Sequence, residues 1–141
     1  MKTHHRPLQE ELVVKVQEEQ RRLKQPQHIK KGYVCGPMTG VENHNKEAFE
    51  NEYARLTALG LDAINPHHIT EDMDVTEWKW RDFMRVDLPF LTFCDEVYLL
   101  ENWDKSEGAS FEVMIAQYFR KKIYLPDGNE MTYEPISLRI A

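Results

Sequence analysis

Short apolar runs alternate along the chain with longer segments in which apolar residues recur every three or four positions. The runs predict four β-strands, at residues 32–35, 61–64, 96–100 and 122–125. The longer segments predict helices between them, from about residue 45 to 59, from 78 to 91 and from 111 to 120. Gly60 is placed to end the first of these helices, and Pro89 makes the end of the second irregular. This alternation predicts an α/β fold with an open, mostly parallel sheet and helices on both faces.

Both ends of the chain depart from this alternation. Residues 1–30 contain no glycine and predict an amphipathic helix over about residues 7–24. Its apolar face consists of Leu8, Leu12, Val16 and Leu23, with Val13 beside them. We expect the helix to pack on the domain or on a partner subunit, because a membrane-surface helix needs a more basic polar face. We therefore interpret residues 1–30 as a helical extension of a domain at 31–141, in which a turn at 126–128 precedes a fifth, edge strand at 133–140.

Composition and charge narrow the classes of protein to consider. The chain has 141 residues, of which 41% are hydrophobic, as in folded domains. Its 18 Lys and Arg face 24 Asp and Glu, and a net charge of −6 disfavours duplex nucleic acid and anionic membranes as partners. Without a signal-like or membrane-spanning apolar segment, we expect a cytoplasmic protein. Cys35 and Cys94 are predicted to be buried thiols and not a disulfide or a zinc site.

The loops that follow the strands are the candidate binding segments, because parallel sheets bind ligands beyond the carboxyl ends of their strands. Residues 36–40, Gly-Pro-Met-Thr-Gly, follow the first strand, and two glycines let the backbone approach a ligand closely. The loop matches neither the dinucleotide nor the P-loop fingerprint, and a structural turn explains it equally well. His67 and His68 follow the second strand, where one of them is placed to touch a substrate, but their spacing predicts no metal site.

The loop before the last helix is the richest in polar and small residues. Ser106, Gly108, Ala109 and Ser110 lie where the free N–H groups of a helix start favour an anion such as phosphate. Glu112 follows in or near the first helical turn and faces the same space. The alternative interpretation is an ordinary serine cap, with an acidic residue that interacts with the helix dipole.

A second carboxylate, Asp87, lies between apolar neighbours at the end of the preceding helix. From there it can point over the strand ends toward Glu112. Two carboxylates in one cleft can divide their roles, one acting as an ionised nucleophile and the other as a protonated acid. The alternative is a surface Asp87 that pairs with Arg81 or Arg85.

Taken together, these residues resemble the nucleoside 2-deoxyribosyltransferase superfamily, over about residues 31–125. The resemblance rests on Tyr33-Val34-Cys35-Gly36-Pro37-Met38-Thr39-Gly40, on Asp87-Leu88 before Leu91 and Asp95, and on Ser106-x-Gly108-x-x-x-Glu112. Within the superfamily the pattern looks closest to the 2′-deoxynucleoside 5′-phosphate N-hydrolases. The resemblance implies a flavodoxin-like sheet, a homodimer, a small-molecule nucleotide substrate, and no metal or cofactor.

The resemblance also implies a role for each matched residue. Glu112 corresponds to the nucleophile that attacks the anomeric carbon, Asp87 to the carboxylate that helps to protonate the departing base, and Tyr33 to a tyrosine that orients the nucleophile. The base-side loop corresponds to Gly36, Pro37 and Met38. Ser106 stands where the base-exchanging enzymes usually carry Asp and the monophosphate hydrolases carry Ser, which implies a 5′-monophosphate substrate.

We therefore expect hydrolysis of the N-glycosidic bond of a 2′-deoxynucleoside 5′-monophosphate, which gives free base and deoxyribose 5-phosphate. Three alternatives stay open: base exchange by a deoxyribosyltransferase, cleavage of a nicotinamide–ribose bond, and a nucleotide-binding module without turnover.

Overall fold

The computed structural model describes residues 8–24 and 28–134, and within them an open sheet of four parallel strands. The strands are β1 (Lys31–Cys35), β2 (Asp62–Ile64), β3 (Glu96–Leu99) and β4 (Lys122–Tyr124). Their spatial order is β2-β1-β3-β4, and Tyr33 of β1 pairs with Ile64 on one side and Val97 on the other. This order matches the first four strands of a flavodoxin-like, doubly wound sheet, which confirms the predicted fold class.

Helices flank the sheet on both faces. They are α1 (Leu8–Lys24), α2 (Lys46–Ala58), α3 (Pro66–Ile69), α4 (Trp80–Phe93) and α5 (Glu107–Tyr118), with a short 3₁₀ turn at Trp103–Lys105 and a left-handed turn within Glu42–Asn45. Among the residues that the structure describes, no helix is both long and apolar enough to cross a membrane.

Successive residues of β1 point to opposite faces of the sheet and fill two separate cores. Val34 packs with Phe49 and Leu56 of α2. Tyr33 and Cys35 lie in a larger core on the other face, which α4 and α5 cover. The larger core also contains Leu91, Val97, Leu99, Val113 and Ile123. The face under α4 and α5 is the one that leads to the candidate site.

Helix α2 is bounded by left-handed backbone at both ends. Residues 43–45 have φ of 52°, 53° and 60°, a region that Asn tolerates better than most residues. At the other end Gly60 has φ 88°, and its N–H donates to the Thr57 carbonyl at 3.0 Å. The Leu61 N–H donates to the Leu56 carbonyl at 3.1 Å, which completes a Schellman motif. The predicted role of Gly60 as the end of this helix is confirmed.

Helix α4 begins at Trp80 and continues through Pro89 to Phe93. The spacing of its apolar residues predicted a start at residue 78 and an irregular end near Leu91. Because Leu91 is fully buried in the core, packing holds the last turn in place despite the missing N–H of Pro89.

Helix α5 begins at Glu107 and not at Phe111, as its apolar spacing predicted. A Cβ placed on Gly108 would lie 3.5 Å from the Trp80 Cβ, so the first turn of α5 packs closely on α4. This packing offsets the poor helix propensity of glycine. The earlier start places Glu112 in the second turn of the helix and not in the first.

Helix α1 lies on the domain, but polar side chains make the contact. Arg22 donates to the Ile29 carbonyl at 3.0 Å and to the Asp95 carboxylate at 3.4 Å. Glu19 accepts a hydrogen bond from the Lys31 Nζ at 3.0 Å, and Asp95 accepts one from the Lys31 backbone N–H at 2.8 Å. The predicted apolar face lies to one side of this contact, and its exposed members are Leu12, Val13, Val16 and Leu23.

The chain turns back against β4 after the sheet. The predicted turn at 126–128 forms, with the Gly128 N–H donating to the Leu125 carbonyl at 2.9 Å. Tyr124 then forms an isolated antiparallel bridge with Glu130. The fifth strand predicted at 133–140 is absent from its described part, since residues 133–134 are irregular, and residues 135–140 lie outside the described residues.

Candidate active site

An open cavity of about 640 Å³, its mouth included, lies at the carboxyl ends of β1 and β3. Strand β2 lies on one side of β1 and β3 on the other, so the strand order reverses here, where doubly wound sheets bind ligands. The loop after β1, one face of α4 and the start of α5 form its walls. The predicted site residues that line it are Gly36, Met38, Asp87, Ser106, Gly108, Ala109 and Glu112.

Glu112 lies at the base of the cavity with a donor at each carboxylate oxygen. The Tyr33 hydroxyl donates to its Oε2 at 2.5 Å, and the Cys35 Sγ lies 3.7 Å from its Oε1. Tyr33 and Cys35 alternate with outward residues along β1, so the pleat of one strand presents both donors. Sequence reasoning took Cys35 for a buried thiol, which it is, but gave no reason to expect its contact with Glu112.

Asp87 is also buried, and one of its oxygens has no partner. It is 1% exposed, and Oδ1 makes no hydrogen bond in the structure. The alternative of a surface Asp87 paired with an arginine is wrong, and Arg85 instead lies 3.9 Å from Asp82. A buried acceptor without a donor is costly unless a proton or a ligand satisfies it. Because Asp87 lines the cavity, a bound ligand can supply the missing partner.

Burial raises the pKa of both carboxyl groups, and their different neighbours make the two pKa values unequal. Burial raises the pKa of Asp87 to about 8, and the nearby charge of Glu112 adds to that rise. Burial also raises the pKa of Glu112, to about 7, while the hydrogen bonds from Tyr33 and Cys35 lower it. The pKa of Tyr33 lies well above its usual value because of burial and the adjacent carboxylates, so its hydroxyl stays a donor. Near neutral pH, Asp87 is therefore the group that keeps its proton, and Glu112 is the group that ionises more readily.

One wall of the cavity is apolar. Trp80, Phe83 and Met84 of α4 line it together with Met38 of the loop after β1. Phe83 is held by an edge contact with Trp78, at a ring-centroid distance of 5.1 Å. Such a wall can receive the flat face of a heterocyclic base, by stacking and by van der Waals contact. Sequence reasoning did not assign Phe83 and Met84 to the site.

A signal for this wall was nevertheless present in the sequence. Trp80, Phe83, Met84 and Asp87 recur at three- and four-residue intervals, which places them on one face of a helix. Because Asp87 was a candidate site residue, the apolar side chains on its own face were candidates for the same cavity.

The other wall is polar and is formed by the start of α5 and the residues that flank it. The Ser106 Oγ accepts a hydrogen bond from the Ala109 N–H at 3.2 Å and caps the helix. Lys105 and Glu107 flank it and also line the cavity. The helix start and the Lys105 ammonium favour an anion, whereas the Glu107 carboxylate opposes one. Both the cap and the candidate binding role predicted for Ser106 therefore fit its position.

Two of the predicted substrate-binding residues do not line this cavity. Pro37 lines a neighbouring hollow of the surface, on the far side of Ser106 and Lys105. Ser110 is turned toward the Trp103 carbonyl, 3.5 Å from its Oγ. Gly36 does line the cavity, but it also meets a packing requirement, because a Cβ there would lie 2.8 Å from the Leu100 side chain.

The histidines after β2 are engaged away from the cavity. The His68 Nε2 lies 2.7 Å from Glu50 Oε1, and the His67 Nε2 lies 2.8 Å from the His44 carbonyl. Neither ring lines the cavity, so the structure does not place either at the candidate site. Within residues 8–24 and 28–134, no group of three or more His, Cys, Asp or Glu side chains is arranged to hold a metal ion.

A comparison with protein families finds one match. A family model described as "Domain of unknown function (DUF4406)" matches residues 30–125, which is more than half of the chain. The matched segment contains the whole sheet and every residue that lines the cavity, whereas α1 lies outside it. No curated protein matches the chain.

Proposed function

The chain belongs to the DUF4406 family, and from the geometry of its site we propose that it hydrolyses the N-glycosidic bond of a 2′-deoxynucleoside 5′-monophosphate. The products are the free base and deoxyribose 5-phosphate. The observation that carries this proposal is a pair of buried carboxyl groups in one cavity, Glu112 with hydrogen-bond donors and Asp87 without.

The unequal surroundings of the pair support a division of roles. Glu112, held by Tyr33 and Cys35, presents an ionised carboxylate of fixed orientation. Asp87, which keeps its proton to higher pH, presents an acid on the side of the apolar wall where a base would lie. Leaving-group protonation and nucleophilic attack are the two tasks that cleavage of a glycosidic bond requires.

In the first step a Glu112 oxygen bonds to C1′ of the sugar as the bond from C1′ to the base nitrogen breaks. The electron pair of that bond goes to the base, and Asp87 protonates the leaving base. In the second step water attacks C1′, its proton passes to the Asp87 carboxylate, and Glu112 is released as a carboxylate. A 2′-deoxy sugar suits these steps, because it lacks the electron-withdrawing 2′-hydroxyl that would destabilise the cationic transition state.

The polar wall supports a monophosphate as the substrate. A 5′-phosphate placed at the start of α5 would meet free N–H groups, the Ser106 hydroxyl and the Lys105 ammonium. Ser106 is also the position at which the resemblance distinguishes monophosphate hydrolases from base-exchanging enzymes. The two considerations favour the same substrate class.

The experiment that tests the proposal is chromatographic detection of free base. The purified protein is incubated with each deoxynucleoside 5′-monophosphate and with the matching nucleoside, alongside Glu112→Gln. The control is Glu96→Gln, which changes another buried glutamate, at the far end of β3 from the cavity. We expect base release from a monophosphate by the parent and by Glu96→Gln, and a loss of at least about a hundredfold in Glu112→Gln.

The other outcomes identify the alternatives. Transfer of the sugar to an added second base, in preference to water, would indicate a deoxyribosyltransferase. Nucleotide binding without release of base, unchanged in Glu112→Gln, would indicate a binding module and would overturn the proposal.

A further inference from the structure

Helix α1 has two faces of different character, and the domain covers only one of them. Its Glu19 and Arg22 contact Lys31 and Asp95 of the domain. On the 3.6-residue period of a helix, the apolar positions form a stripe that lies to one side of these contacts. The stripe consists of Leu12, Val13, Val16 and Leu23, whose exposed fractions lie between 44% and 55%.

We propose that this stripe is a self-association surface, on which α1 pairs in antiparallel orientation with α1 of a second copy of the chain. The proposal is independent of the enzymatic function proposed above. Several exposed apolar side chains on one side of a largely polar helix mark an interaction site, because their exposure to water is unfavourable.

The distribution of charge along α1 favours a second copy as the occupant. The first turn carries Glu10 and Glu11, and the last turn carries Arg21, Arg22 and Lys24. In an antiparallel pair the acidic start of each helix lies beside the basic end of the other. The two helix dipoles then run in opposite directions, which is also favourable. A parallel pair would place like charges side by side.

The positions of individual residues fit the same arrangement. If Leu12 of one helix lies opposite Leu23 of the second copy, then Glu10 comes beside Lys24 of the second copy. Glu10 and Lys24 lie on the same flank of the stripe, and equivalent flanks meet in an antiparallel helix pair. By symmetry, each of these contacts occurs twice in the pair.

The surface lies far from the candidate active site in the fold. Lys31 begins β1 and Asp95 directly precedes β3, so α1 sits at the amino ends of the strands, whereas the cavity lies at their carboxyl ends. Pairing through α1 therefore leaves both cavities open to solvent. Loss of the pairing is expected to leave the activity of each subunit unchanged.

Sedimentation equilibrium over a range from low micromolar to submillimolar protein tests the surface. We expect a reversible monomer–dimer equilibrium. Val16→Glu should raise the dissociation constant of the dimer by at least about tenfold, because a charge buried in an apolar contact must lose its water. The control is Met73→Glu, which adds the same charge at a hydrophobic residue that is 48% exposed and lies outside α1. Circular dichroism of both variants verifies that they fold.

Charge reversal tests the orientation. In the antiparallel pair, Glu10→Lys places two lysines together at each end and should raise the dissociation constant of the dimer by about three- to tenfold. The double variant Glu10→Lys, Lys24→Glu should restore the dissociation constant of the parent. In a parallel pair the single reversal would exchange one like-charged contact for another and leave the dissociation constant of the dimer almost unchanged.

Three results would overturn the proposal. A chain that stays monomeric at every concentration would assign the stripe to a different partner. A dimer that Val16→Glu does not weaken would place the interface on another face of the molecule. A dimer that Glu10→Lys does not weaken would exclude the antiparallel arrangement.

Discussion

Asp87 and Glu112 are both buried in the same cavity, yet only Glu112 has donors directed at its oxygens. Burial raises the pKa of both, but the Tyr33 and Cys35 contacts offset part of that effect at Glu112. At the scale of single residues, the proposed mechanism depends on this difference.

The pH dependence of base release is the first prediction at this scale. We expect kcat/KM to pass through a maximum between the pKa of Glu112, about 7, and that of Asp87, about 8. The rate falls below this interval because Glu112 is protonated, and above it because Asp87 has lost its proton. A profile that is flat from about pH 6 to about pH 9 would contradict the assigned roles.

Replacement of Tyr33 by Phe tests the donor to Glu112. The hydrogen bond from Tyr33 lowers the pKa of Glu112, so Tyr33→Phe should move the acid limb of the pH profile to higher pH. We also expect kcat/KM to fall by about ten- to a hundredfold. Tyr98→Phe is the matched control, because the Tyr98 hydroxyl contacts Glu96 and not the cavity. An unmoved acid limb in Tyr33→Phe would exclude a role in holding Glu112.

At the scale of elements, the start of α5 combines a structural and a proposed binding function in Ser106. The cap requires an acceptor, which Asp supplies as well as Ser. For anion binding, in contrast, a negative charge added at position 106 would repel the ligand. The two functions can therefore be separated by substitution.

Two substitutions of Ser106 give the prediction at this scale. Ser106→Ala removes the cap and should lower the free energy of unfolding by about 1 kcal/mol, as measured by urea denaturation. Ser106→Asp should keep that stability but lower kcat/KM for monophosphates by at least about tenfold relative to kcat/KM for nucleosides. If Ser106→Asp left the preference for monophosphates unchanged, Ser106 would be a cap only.

At the scale of the whole molecule, the raised pKa values link stability to pH. The unfolded chain loses the protons of Asp87 and Glu112 near their ordinary values of 3.8 and 4.5, well before the folded chain does. Between about pH 4 and about pH 8 the folded state therefore binds more protons, and the free energy of unfolding falls as the pH rises.

Asp87→Asn removes the contribution of Asp87 to this dependence of the free energy of unfolding on pH. We expect the variant to be more stable than the parent by several kcal/mol, up to about 5 kcal/mol, near pH 8, with the difference shrinking toward pH 4. Urea denaturation at the two ends of this range measures it, and Glu96→Gln serves as the control. A difference that grew as the pH fell would contradict the assigned direction of the shift.

The sequence was sufficient for the four parallel strands and for the longer helices, because each of them has a local apolar pattern, whereas the four-residue α3 was not predicted. Gly60 ends α2 as predicted, and Asp87 and Glu112, which were expected to face one cleft, line the same cavity. What local pattern could not supply was tertiary packing. The start of α5 depends on the contact of Gly108 with Trp80, two residues far apart in the sequence.

The same limit explains what was missed in the site. Phe83 and Met84 have the spacing of ordinary core residues, and nothing local distinguishes a helix face that packs in the core from one that lines a cavity. Likewise, the spacing predicted an apolar face on α1, but the contacts of Arg22 decide where that face points.

The hydrogen bond between Tyr33 and Glu112 joins residues 79 positions apart. A growing polypeptide that emerges from the ribosome from its N-terminus makes β1 early, yet it cannot close this contact until α5 has also emerged and packed on the sheet. The donor is thus in place long before the carboxylate that it holds. A prematurely terminated chain that stops before α5 carries the Tyr33 donor and Asp87 but no nucleophile, and cannot act on a nucleotide by the proposed route.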